Sequence, residues 1–190
     1  MNGINRAFVD DVIGTYFEMG CSALEKKEFA IALKMFKAVF DEPSSKAQKE
    51  KIMLSLLVRS AEAHEGLKQL YKAKLLYIRA IAQHRKIFVK PTMQSTEILL
   101  TLAHLTAQQG LYRQALEFAQ EAFDNYNNCM IQSPTDFVRN LRRIERIMQL
   151  KGRHVEQQKL VGMLESVRNE ALQSIPNVAA IMPLAVAVSV

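Results

Sequence analysis

GLYRQALEFAQEAFDNY, running from Gly110 to Tyr126, is the stretch whose reading decides the fold. Gly110 and Leu111 form a tight turn, because glycine alone enters positive φ without strain. Ala115 is small enough to let a preceding helix pack closely, and Leu116, Phe123 and Tyr126 supply bulk at helical spacing. The segment reads as the second helix of a helical hairpin.

The same helix occurs twice upstream, as FAIALKMFKAVF from Phe29 to Phe40 and LYKAKLLYIRAI from Leu70 to Ile81. Ala32, Ala73 and Ala115 superpose, followed at four positions by Phe36, Tyr77 and Ala119 and at seven by Val39, Ala80 and Ala122. Twelve residues before the anchors stand Gly20, Ala61 and Ala103, with Tyr16, Leu57 and Leu99 four earlier. A degenerate fourth copy occupies 135–173, where Leu141, Ile144 and Met148 fit the pattern but Gln157 and Val161 replace the alanine and the aromatic.

A large residue, a small one, then Ala-x3-aromatic resembles the framework of the tetratricopeptide repeat (TPR) over about residues 12–126. The anchors lie 41 and 42 residues apart, against about 34 in the common form of that repeat. The excess falls between the second helix of one unit and the first helix of the next, and amounts to about two helical turns. Extended units of this kind are similar to those of kinesin light chain, the spindle-orientation adaptors and the bacterial peptide-sensing regulators. A HEAT-type array has a comparable period, but the alanine anchors favour the TPR reading.

Composition agrees with an all-α chain. Among 190 residues there are 7 Gly and 5 Pro, and no period-two alternation persists long enough for a strand. Cys21 and Cys129 make no disulfide framework and fit reduced thiols of a cytoplasmic protein. The segment MNGINRAFVDDV carries acids where a signal peptide is apolar. The net charge of +6 is unevenly spread, with Lys68, Lys72, Lys74, Arg79, Arg85 and Lys86 concentrated around one helix. No base-reading groups interleave with these cations, so they read as a solvated outer face and not as a nucleic-acid site.

In chain order the pattern predicts antiparallel hairpins at about 6–43, 45–90, 95–127 and 135–174, stacked within 1–176 as a right-handed superhelical solenoid. Pro43 and Pro91 end helices. Ser45 with Gln48 forms a capping box, Ser95-Thr96-Glu97 opens the fifth helix, and Ser133-Pro134 opens the seventh. The segment 177–190 is an apolar tail, shorter than the roughly 20 residues a membrane span needs. It is expected to pack on the last hairpin, occupy a groove in this or a neighbouring molecule, or serve self-assembly.

No nucleotide-binding glycine loop and no nucleophile elbow is present, and His64-Glu65 lacks the second histidine of a zinc helix. Neither an enzyme nor a bound cofactor or metal is implied. What the resemblance implies is a concave face built from the first helix of each hairpin. Its matching positions are Phe17, Cys21 and Leu24; Val58, Glu62 and Glu65; Leu100, His104 and Ala107; and Arg142, Arg146 and Gln149. The carboxylate clamp of chaperone-binding members is replaced here by Phe17, Cys21 and Val58. Arg139, Arg142, Arg143 and Arg146 share a face at helical spacing. The expected function is a scaffold or adaptor that holds a protein or peptide segment, apolar at the first hairpin and acidic at the fourth. A peptide-gated regulator and a self-assembling subunit are the alternatives.

Overall fold

A computed structural model describes residues 3–41, 46–129 and 134–173. The apolar tail and the expected caps Ser45 and Ser133 lie outside the described residues. Within them are eight helices and no strand: α1 Gly3–Glu25, α2 Phe29–Asp41, α3 Lys46–Gly66, α4 Leu70–Ile87, α5 Met93–Gln108, α6 Tyr112–Cys129, α7 Pro134–Leu150 and α8 His154–Gln173. Consecutive helices pair as hairpins, and the hairpins stack.

One backbone device closes every hairpin. Lys27, Lys68, Gly110 and Gly152 adopt positive φ, at 61°, 60°, 78° and 65°. At each, its own N–H donates three residues back and the next N–H donates five back, as in Lys27 to Leu24 and Glu28 to Ala23. These paired bonds satisfy the carbonyls that a helix end leaves open. Five residues after each left-handed residue, the N–H of Ala32, Ala73, Ala115 and Gln157 donates to the carbonyl of the residue just before the second helix. The four copies therefore share one register, including the degenerate fourth.

Packing explains the small anchors. Ala32, Ala73, Ala115, Ala61 and Ala103 are fully buried. At Gly20 a Cβ would stand 2.4 Å from Cε1 of Phe36, so the first hairpin uses glycine where the second and third use alanine. Leu141, Ile144 and Met148 are also fully buried, and the ring of Tyr126 stacks on Phe137 at 4.3 Å to join α6 to α7. Gly66, the last residue of α3, lies against the ring of Phe29, 2.4 Å from the place of a Cβ. The left-handed residue of that turn is Lys68.

The fifth helix begins earlier than Ser95. Thr92 is its N-cap: the Thr92 N–H donates to Ser95 Oγ at 2.9 Å, and the Ser95 N–H to Thr92 Oγ1 at 3.4 Å. Serine thus does the work usually given to Glu or Gln in a capping box. Buried His84 hydrogen-bonds Thr92 Oγ1 at 2.7 Å and packs beside Phe88. Burial, and secondarily Arg85, lowers its pKa. The end of α4 is thereby tied to the start of α5.

Candidate interaction surface

The helices α1, α3, α5 and α7 carry a set of electrostatically linked ionisable groups, half-buried at Cys21, Glu62, Glu65 and His104 and exposed at Arg59, Glu97 and Arg143. On α3, Arg59 Nη1 pairs with Glu62 Oε2 at 2.9 Å. Both lie within electrostatic reach of Cys21 on α1, whose thiol pKa is raised chiefly by burial. That is the opposite of an activated nucleophile. One turn along α3, Glu65 accepts a long 3.5 Å hydrogen bond from the Tyr77 hydroxyl of α4. Burial raises the pKa of Glu65, Glu62 adds to the rise, and Arg143 of α7 opposes it. His104 of α5 is lowered, first by burial and then by the same Arg143. One guanidinium on the fourth hairpin thus acts on groups of the second and third.

Between α3 and α5 a cavity of about 270 Å³ opens, with Val58, Arg59 and Glu62 on one wall, Glu97 and Thr101 on the other, and Tyr77 from α4. A second, of about 280 Å³, lies between α5 and α7 and is bordered by Leu100, Glu97 and Asp136. Burial, and secondarily Asp136, raises the pKa of Glu97.

The sequence-derived positions are distributed unequally. Phe17 and Leu24 are half-buried on the first hairpin, with the Phe17 ring 6.0 Å from that of Phe36. Val58 and Glu62 line the opening between α3 and α5, whereas Glu65 and His104 are half-buried within electrostatic reach of Arg143. Leu100 and Ala107 are buried at 3 % and 1 % exposure, taken up by packing around α5. The four arginines are all exposed on one face of α7, but their neighbours differ. Arg139 pairs with Asp136 at 2.7 Å, and Arg142 borders a cavity with Val161 and Leu164 of α8. Arg143 lies within electrostatic reach of Glu65 and His104, and Arg146 and Gln149 are exposed as it is. Burial of Leu141, Ile144 and Met148 on the opposite side of α7 fixes which way this arginine face turns.

Neither Arg59 nor Tyr77 is among the groove positions derived from sequence. A usable signal exists for Tyr77, since Glu65 and Tyr77 are twelve residues apart, the spacing that separates Ala61 from Ala73 across the same hairpin. Among the described residues no group of three or more His, Cys, Asp or Glu side chains is placed to hold a metal ion, and no helix is long and apolar enough to cross a membrane.

No protein-family model matches the sequence, and no curated protein matches it. Solved structures do. BtubC (BKLC) from P. vanneervenii superposes with a TM-score of 0.70 at 13 % identity, covering 93 % of this chain and 71 % of that one. The nearly identical TPR-like repeats of a kinesin-light-chain-type protein from Podosopora anserina superpose with a TM-score of 0.62 at 15 % identity, covering 85 % and 77 %. A point variant of the latter gives the same values. With the four-fold register and the buried alanine anchors, these similarities establish the fold of the chain as a TPR-like helical repeat solenoid.

Proposed function

We propose that the protein is a non-enzymatic scaffold that holds a peptide or helical segment of a partner protein along the face formed by α1, α3, α5 and α7. The observation that carries this reading is the convergence on Arg143 of two half-buried groups, Glu65 and His104, contributed by two other hairpins. Such a surface discriminates along its length. Phe17, Leu24 and Val58 offer apolar contact at one end, and Arg143 with Arg146 offers guanidinium forks for a carboxylate at the other.

Selection of displayed peptides against the folded protein tests this. Enriched sequences should carry Asp or Glu at one end and apolar residues at the other. Arg143→Glu with Arg146→Glu should weaken the selected peptides by about 1–3 kcal/mol per pair lost, with an unchanged helical signal. Enriched peptides indifferent to both this reversal and Phe17→Ala would place binding on another surface.

A further inference from the structure

The repeat register supplies an internal control for the outer surface. Tyr71, Leu75 and Ile78 occupy α4 at i, i+4 and i+7 and share one face, exposed at 67 %, 43 % and 39 %. The corresponding residues are Ala30, Lys34 and Lys37 on the first hairpin, Arg113, Glu117 and Gln120 on the third, and Val155, Lys159 and Gly162 on the fourth. All nine are exposed, and only Val155 among them is a large apolar residue. Solvent therefore reaches these positions in every hairpin, and α4 alone carries three large apolar side chains there.

The two flanks of that stripe differ. On one, Lys74 donates to Gln114 at 3.3 Å and Arg85 pairs with Glu121 at 2.5 Å, both on α6. On the other, Lys72, Arg79 and Lys86 recur every seven residues and are exposed, with no ion pair among the described residues. An apolar stripe two turns long with cations along one side has a definite complement. We infer that the outer face of α4 docks an acidic amphipathic helix of a partner protein, its apolar anchors against Tyr71, Leu75 and Ile78 and its carboxylates against Lys72, Arg79 and Lys86. Apolar anchors give the affinity of such a contact and the cations give its orientation and salt dependence. The surface is separate from the α1, α3, α5 and α7 face and does not depend on the function proposed for it.

The probe is a designed, fluorescein-labelled amphipathic helix with Leu at i, i+4 and i+7 and Glu along one flank. Fluorescence anisotropy should show saturable binding that weakens roughly tenfold or more in Leu75→Glu, in Tyr71→Glu and in Lys72→Glu with Arg79→Glu. Gln120→Glu, the matched position on α6, should leave it unchanged. Tyr71 is the most exposed of the three, so its variant guards against misfolding of the others. A probe of equal charge without the leucines should bind at least roughly tenfold more weakly. Equal affinity for wild type and all variants overturns the inference. So does binding of phosphatidylserine vesicles in preference to the probe, or a concentration-dependent mass abolished by Leu75→Glu without probe binding, which would assign the face to a membrane surface or to a second copy.

Discussion

Gln157 donates a 2.6 Å hydrogen bond from Nε2 to Glu145 Oε1 across the α7–α8 hairpin. In the other hairpins the same two positions are held by Gly20 and Ala32, Ala61 and Ala73, and Ala103 and Ala115. A polar clasp thus replaces a close small-to-small crossing, and Arg153 compensates nearby by pairing with Glu156 and packing 5.2 Å over the Tyr112 ring. Gln157→Ala should destabilise by about 1–3 kcal/mol, because it strands a part-buried carboxylate. The double change with Glu145→Ala should recover most of that loss. Chemical unfolding of both single variants and the pair gives the coupling energy, and additive losses would show that the clasp contributes nothing of its own.

Gly20→Ala should force the buried Phe36 ring to move, since a Cβ there would stand 2.4 Å from it, at about 1–3 kcal/mol for the overpacking. Phe36→Leu in the same chain should relieve part of the clash. Ala73→Leu and Ala115→Leu carry a penalty of the same order at the next two crossings. Melting temperatures unchanged in all three would refute the assigned repeat register.

The turns make opposite predictions for residues that share the left-handed region. Lys27→Gly and Lys68→Gly should each stabilise by up to about 1 kcal/mol, because a side chain is strained in the left-handed region. Gly110→Ala and Gly152→Ala should destabilise by about 1 kcal/mol for the same reason. Thermal unfolding of the four single variants checks the sign of each.

Arg143 predicts a paired titration shift. Removing it as Arg143→Gln should raise the Glu65 pKa, by loss of a cation that favours the carboxylate, and raise the His104 pKa, by loss of a cation that opposes imidazolium. NMR titration of the two side chains reads both, and a shift in neither would separate Arg143 from this surface.

The linked stability effects differ in direction. The folded pKa of Glu65 lies above its ordinary value of 4.5, so its contribution is complete below that pH and is lost as pH rises through the folded value. That of His104 lies below 6.5, so its contribution is present above 6.5 and is lost as pH falls through the folded value. Glu65→Gln should flatten the first limb and leave the second, as unfolding free energy measured against pH will show.

What the sequence by itself determined was the hairpin and its register. Ala32, Ala73 and Ala115 stand twelve positions after Gly20, Ala61 and Ala103 across a short turn, so the pairing of small residues is local and leaves a periodic trace. The places of all four turns were legible, but that Lys27 and Lys68 take the left-handed conformation was not, because a left-handed lysine leaves no compositional mark. Only the tertiary structure decided which way α7 turns, and hence that Arg143 lies within electrostatic reach of Glu65 and His104 while Arg139 pairs with Asp136 and Arg142 lies beside α8. The burial of Leu141, Ile144 and Met148 sets that rotation. Likewise, Tyr71, Leu75 and Ile78 read as ordinary helix residues until the packing of neighbouring hairpins shows that no part of the described chain covers them. Facing and exposure depend on contacts between helices distant in sequence, and those contacts have no period to read.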